Sequence, residues 1–492
     1  SLWLAEHQMN TEFFKEFGQT NPTLPLKEAG EIVHGNACRI DWESVCPIKK
    51  EDEVYLLGNP PYVGSKNQTP SQKDDIKLVL NGISTTKSLD YIACWFIKGA
   101  RFINEKSAFS FVSTNSLFQG TQVPLIWPII FGMDIELYFA YKNFRWSNSA
   151  RGNAGVTCSI VGLRRQKEGG KSIYTADSRK QVKTINPYLL EGKTFFIKNR
   201  SGVLSDLPRL QIGNEAYDSG YLTFTDAEKK EFVIKYPESD SLFKKVLGSN
   251  ELIHGFYRWC LWIDENSLEK AECIKGVKDR IEKVREFRES GGMNARSCMD
   301  RPYQFRWVNR AEKTQIVLPV VSSERRDYIP MAYVNAQFTV INSAQVIYDP
   351  EPYVFALLNS KIHLVWAKFL GGKLETRYRY NAGLCYNTFP WPNISAKRKD
   401  EITQGMFRIL QEREKHPEKT LAHLYDPDKM PEGLREAHHQ NDLSIERCYR
   451  SKPFESDEER LEYLFKLYEQ MIEEEKSKGG LFEETKKTRK RR

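Results

Sequence analysis

The chain has 492 residues and a mass of 57.2 kDa, too long for one hydrophobic core and enough for about two to four domains. With 40% hydrophobic and 12% aromatic residues it is not broadly disordered, and a net charge of +8 suits an anionic partner without identifying one. Nine cysteines without a CxxC pair argue against a zinc or disulfide framework and read as reduced thiols of a cytoplasmic protein, and neither a transmembrane run nor a signal peptide is legible.

The opening "SLWLAEHQMN" lies inside an amphipathic helical pattern without an initiating Met, so further chain is expected upstream. In "EIVHGNACRIDW", Ile32 and Val33 and then Cys38 to Ile40 read as strand pieces, with Asp41 at the end of the second. Next comes "VYLLGNPPYVGSKNQ". Val54 to Leu57 read as a short buried strand that Gly58 stops, and Pro60 and Pro61 forbid a helix or a continued ladder. Asn59 and Tyr62 are thus held on a stiff loop at the carboxyl end of a strand, the edge of an open α/β sheet where ligands sit. "SLDYIACWFIKGARFI" places Leu89, Ile92, Ala93, Phe96, Ile97 and Ala100 at helical spacing, with Asp90 near the helix start. "SAFSFVSTNSLFQG" is a strand running into a polar loop, and "IELYFAY" and "GVTCSIVGL" are two further strands. This alternation predicts an α/β sheet with crossovers.

A charged stretch, "RRQKEGGKS", closes the region. From about Phe195 to Trp391 the pattern is mixed, with strands such as "TQIVLPVV" and "MAYVNAQFTVINSAQVIYD" and a charged helix around "IKGVKDRIEKVREFRES". "FPWP" at Phe389 to Pro392 is a rigid terminator. Beyond it the chain is helical, with Ser456 the N-cap of "SDEERLEYLFKLYEQMIEEE". The expected domains are residues 1–190, 191–393 and 394–475, followed by a basic disordered tail over 476–492.

The Asn-Pro-Pro-Tyr loop suits an amine whose lone pair is delocalised into a ring. The Asn59 side-chain carbonyl and the Pro60 backbone carbonyl can each accept one N–H, favouring a pyramidal nitrogen whose lone pair points at an electrophile. The prolines, including Pro61, fix both acceptors in advance. Tyr62 offers a flat face for a planar group. The loop, the preceding "GNACRIDW" and the following "FSFVSTNSLFQG" resemble those of adenine-N6 DNA methyltransferases. More narrowly, with "ELIHGFYRWCLWI", "VSSERRDYIP", "YNTFPWP" and "LYDPDKMPEGLREAHHQND", the chain resembles the type IIL restriction–modification enzymes, which fuse nuclease, methyltransferase and target recognition.

That resemblance implies an α/β fold: a partial Rossmann-like methyltransferase sheet, a mixed α+β target recognition domain and a C-terminal helical domain. It implies S-adenosylmethionine as methyl donor and double-stranded DNA as partner, with no membrane. Asp41 would accept from the cofactor's adenine amine, Trp42 would flank that ring, and Asp90 would line the pocket or cap its helix. Tyr62 would stack on the extruded base, with a second aromatic from "FRWSNSARGNAG"; Phe144 and Trp146 are both candidates. Glu324, Arg325, Arg326, Arg377 and Arg379, on expected loops, suit base or phosphate contact. The family's nuclease and Gly-rich cofactor turn are not found here, so they are expected upstream, and the chain alone is expected to bind cofactor poorly. No metal site is expected: His438–His439 lack supporting ligand spacing and read as a helix surface or interdomain contact. The rival readings are an inactive DNA-binding fragment, a methyltransferase acting on protein glutamine or RNA, and a cytosine-N4 enzyme.

Overall fold

A computed structural model describes residues 2–18, 32–81, 83, 88–146, 156–374 and 377–489. Six strands form the first sheet: β1 (Tyr55–Gly58), β2 (Ala108–Thr114), β3 (Ile135–Trp146), β4 (Val156–Arg165), β5 (Lys171–Tyr174) and β6 (Arg179–Val182). Their order is β1-β2-β4-β3-β5-β6. β1 runs parallel to β2, β3 parallel to β5, and β6 antiparallel to β5. The chain divides into two compact units, one of residues 1–112, 129–138 and 161–169, the other of residues 113–128, 139–160 and 170–492.

In the first unit the helix Ala93–Phe102 presents the expected stripe. Ile92, Ala93, Phe96, Ile97 and Ala100 are fully buried, as is Leu89 just before it. Phe96 packs edge-on against Phe109 and Phe111 of β2, with ring centroids 6.2 and 5.4 Å away. Gly99 lets the Phe109 ring lie on the helix, since a Cβ there would meet it at 3.1 Å.

Two sequence expectations are corrected in this unit. β1 exists, but among the described residues it pairs with β2 alone, and Tyr55 and Leu57 are 63% and 74% exposed rather than buried. A four-residue apolar run does not distinguish an edge from a centre. Ile32, Val33 and Cys38–Ile40 form no strand. The Asn36 carbonyl accepts the N–H groups of Arg39 and Ile40, and its side-chain oxygen accepts that of Cys38 at 2.9 Å, which folds the segment into a turn. Asp41 therefore ends no strand; it caps the short helix Trp42–Val45, accepting the Glu43 N–H.

The second unit holds three further sheets. Its strands are β7 (Gln211–Ile212), β8 (Thr223–Phe224), β9 (Phe243–Leu247), β10 (Arg258–Leu261), β11 (Thr314–Pro319), β12 (Val321–Ser322), β13 (Ala332–Asn335), β14 (Phe338–Val340), β15 (Ala344–Tyr348), β16 (Gly372–Leu374) and β17 (Arg377–Arg379). The sheet orders are β14-β9-β10-β8, β13-β11-β15-β7 and β12-β17-β16. The helix Lys275–Ser290 carries the fully buried Arg288, which donates to five backbone carbonyls, those of Ala216, Tyr217, Cys298, Arg301 and Gln304.

The "FPWP" segment is buried: the Ser205 hydroxyl donates to the Phe389 carbonyl and accepts the Trp391 N–H. Helices Ala396–Glu414, Glu432–Glu446 and Asp457–Arg489 follow, the last with Ser456 accepting the Glu459 N–H. Its backbone is helical to Arg489. His438 is fully buried and His439 exposed. Among the described residues no cluster of His, Cys, Asp or Glu could hold a metal ion, and no helix is long and apolar enough to cross a membrane.

Candidate functional site

The Asn-Pro-Pro-Tyr segment leaves the carboxyl end of β1. Asn59 and Pro61 are exposed, Pro60 is buried and Tyr62 is half-buried. What holds this irregular backbone lies just after it. The Val63 N–H donates to the Asp90 carboxylate at 3.0 Å, and the Val63 carbonyl accepts from the Tyr91 N–H and from Gln68 Nε2 at 2.8 Å. The same Gln68 amide donates to the Leu89 carbonyl at 2.9 Å, so one buried side chain ties the loop to the segment before the helix. Both backbone polar groups of Val63 are therefore committed. That fixes the exit of the loop while Asn59 remains open to solvent.

The first unit also holds a cavity of about 340 Å³ lined by Asp41, Trp42, Leu78, Val79, Lys98 and Phe102, among others. The Trp42 indole N–H donates to the Ala37 carbonyl, and its ring meets Phe102 edge-on at 5.8 Å. The Lys98 ammonium donates to the Ile40 carbonyl at 2.5 Å and stands 5.1 Å from the Trp42 ring; burial pushes its pKa down. Asp41 is exposed, with one carboxylate oxygen on the Glu43 N–H. The lining mixes the Trp42 and Phe102 rings, Leu78 and Val79 with the charged Arg39, Asp41, Glu43, Lys98 and Arg101, a combination that suits the flat ring and polar edge of a nucleoside. Asp90 does not line this cavity; its carboxylate is spent on Val63 and Ile92 N–H groups.

A buried hydrogen-bond cluster connects cavity wall to loop. Cys38, in the wall, lies 3.8 Å from the Tyr91 hydroxyl, which donates to Asp75 at 2.7 Å. Burial opposes the charge on Asp75, but donors from Tyr91, Arg39 and Asn36 hold its carboxyl below the usual range. Tyr91 in turn donates its backbone N–H to Val63. Gln68, Lys98, Asp75 and Tyr91 were not legible as site residues. The one signal is the pair of cations, Lys98 and Arg101, in an otherwise apolar helix.

The two candidate stacking aromatics sit at the end of β3. Phe144 is half-buried, edge-on to Tyr141 at 5.7 Å. The Trp146 side chain and residues 147–155 lie outside the described residues.

The expected DNA-contacting residues come together in the second unit. β12, which leads into Glu324, pairs antiparallel with β17, which carries Arg377 and Arg379; Val321 faces Arg379 and Ser322 faces Tyr378. Glu324 is half-buried, and among the described residues no hydrogen-bond donor reaches its carboxylate. Arg326 is half-buried, with Nη1 3.3 Å from the Ser322 hydroxyl. Lys368, which sequence reasoning missed, donates to the Arg326 carbonyl at 3.1 Å and stands 5.1 Å from the Tyr378 ring. Arg377 and Arg379 are exposed, while Arg325 forms an exposed ion pair with Asp428.

Models of the MmeI DNA-methyltransferase domain, target recognition domain and C-terminal domain match residues 1–175, 191–393 and 394–474. The chain belongs to the MmeI family. The structure of the type IIL restriction–modification enzyme MmeI in complex with DNA is similar to it with a TM-score of 0.83 and 37% identity, over 96% of this chain and 64% of that chain. A relative from Bacillus subtilis (strain 168), DNA methyltransferase A, is 44% identical over 477 residues. That match takes in 96% of this chain and 54% of the relative, so the chain spans about half the relative's length. The MmeI-like fold is thus an α/β methyltransferase sheet, a mixed recognition region and a helical C-terminal region, as the sequence implies.

Proposed function

We propose that this MmeI-family chain is the methyltransferase and target-recognition part of a restriction–modification protein that methylates adenine N6 in double-stranded DNA. The observation that carries the reading is the loop Asn59–Tyr62, open at Asn59 and locked at Val63 by Asp90, Gln68 and Tyr91. The Asn59 amide oxygen and the Pro60 carbonyl accept the two N–H groups of the amine, and Tyr62 stacks on the extruded ring. Extrusion is required because N6 is out of reach inside a stacked duplex. No general base is needed, since the attacked amine becomes cationic and releases its proton afterwards. Asp41 and Trp42 hold the adenosine end of S-adenosylmethionine in the cavity that they line. When bound, that cofactor supplies an electrophilic methyl group.

On this reading Glu324 and Arg326 face base edges, and Arg377 and Arg379 lie beside them on β17 for phosphate or base contact. The nine free thiols agree with a cytoplasmic setting. The test is to incubate the full-length protein with methyl-labelled S-adenosylmethionine and mixed-sequence DNA, and to analyse the nucleosides by mass spectrometry. Label in N6-methyladenine is expected. Label in N4-methylcytosine, or only in RNA or protein, would replace the reading.

A further inference from the structure

The turn 323–326 leaves β12 and returns to β13 through Asp327 to Met331, and this return limb is gripped by the C-terminal helices. The Tyr328 ring stacks on His438 with centroids 4.0 Å apart and planes 22° from parallel. The Tyr328 hydroxyl donates to Asp442 Oδ2 at 2.7 Å, and Asp442 Oδ1 accepts the Lys361 N–H at 2.6 Å. His438 Nδ1 lies 3.4 Å from the Asn359 carbonyl, which can only accept, so Nδ1 carries the proton and Nε2 accepts from the Tyr425 hydroxyl at 2.8 Å. Arg413 donates both to Tyr425 and to the Met331 carbonyl, the latter at 2.7 Å. Nearer the surface, Arg435 reaches Asp327 at 3.4 Å. Tyr328, His438 and Asp442 are all buried.

A surface turn needs no such support for stability alone. A turn that must hold one side chain against one base edge does, because a displacement of about 1 Å breaks bidentate geometry. Every polar contact of the limb with helices Ala396–Glu414 and Glu432–Glu446 is directional, and the stacked His438 fixes the plane of the one aromatic ring in the limb. We infer that Tyr328, His438 and Asp442 are positioning residues for sequence discrimination, so that the C-terminal helices set how the turn 323–326 reads DNA. The inference rests on the proposal that Glu324 and Arg326 face bases.

The experiment uses the full-length protein, once its native site has been read from methylated DNA. Methylation rates are measured on that site and on each single-base variant of it, for Tyr328→Phe, Asp442→Asn, Arg435→Ala and a Glu324→Gln/Arg326→Lys double variant. Arg435 is at the surface, so its variant keeps the test alive if the buried ones fail to fold. The expected result is a loss of discrimination of roughly tenfold at the position that the double variant relaxes, and little change elsewhere. If the double variant relaxes one position while the Tyr328, Asp442 and Arg435 variants keep wild-type discrimination there, the inference falls and the base-reading proposal stands. If the double variant itself leaves every preference unchanged, both fall. Equal loss at all positions, with only a lowered Tm, would reduce the cluster to a structural brace and also overturn the inference.

Discussion

The Asp90 carboxylate accepts the backbone N–H of Val63 at 3.0 Å, a bond between residues 27 positions apart that fastens the Asn-Pro-Pro-Tyr loop to the start of the next helix. Burial raises the Asp90 pKa, and the N–H groups of Ile92, Val63 and Tyr91 work against that rise. A neutral acceptor would serve the bonds from the Val63 and Ile92 N–H groups. Asp90→Asn is therefore expected to keep most of the methylation rate. Asp90→Ala leaves buried N–H groups without an acceptor, should cost about 1–3 kcal/mol in stability, and should lower the rate more than cofactor affinity. Parallel melting and single-turnover measurements on the two variants check this; equal behaviour of Asn and Ala would contradict it.

Asp442 gives a pH signature. Burial pushes its carboxyl up to about 7, while Tyr328, the Lys361 N–H and Arg460 oppose the shift and Glu446 adds to it. With the folded pKa above the unfolded one, the folded state holds the extra proton. The resulting stabilisation is present below about pH 4 and is lost as pH rises to about 7. Asp442→Asn should remove that dependence, so its stability relative to wild type should climb across the window by on the order of a few kcal/mol and then level off. Urea unfolding of both proteins at pH 4.5, 6 and 8 measures the difference; a flat difference would contradict it.

Arg288 offers a test of a buried charge whose hydrogen bonds all go to backbone carbonyls. Its guanidinium donates to five carbonyls at 2.7 to 2.9 Å, and an ammonium has only three donors. Arg288→Lys should thus destabilise the protein by about 2–5 kcal/mol despite keeping the charge. Chemical denaturation of the variant reads this directly.

Arg325 and Asp428 pair at the surface, with side chains 61% and 70% exposed, so the pair is screened by solvent. Arg325→Ala should leave the Tm where it is. If Arg325 exchanges Asp428 for a phosphate on DNA, the variant should weaken binding to all sequences alike and flatten the salt dependence by about one charge. A relaxed preference at a single base position would instead make Arg325 a base reader.

Much of this was legible in the sequence because it depends on local stereochemistry. The apolar spacing from Leu89 to Ala100, the Ser456 cap and the prolines after Asn59 each leave a chain few alternatives. What was hidden depends on partners far away. Val54 to Leu57 looked buried because apolarity does not report which sheet edge a strand occupies, and Cys38 to Ile40 looked extended because the turn is made by the side chain of Asn36. Asp90 accepts the Ile92 N–H at the helix start, and its second partner, the Val63 N–H, is set by how loop and helix pack, which no local pattern reports. The pairing of β12 with β17, which joins Arg326 to Arg377 and Arg379, spans more than 50 residues of intervening chain and has no signature in either segment.

The most direct test of the central claim is Asn59→Ala in the full-length protein, assayed in a single turnover on its native site. Asn59 is exposed, so folding and specific DNA binding should persist. Loss of one preorganised acceptor at the reacting nitrogen should lower the methylation rate by about two to three orders of magnitude, as removal of an oxyanion-hole donor does. A variant that binds DNA normally and methylates adenine at near wild-type rate would contradict the account.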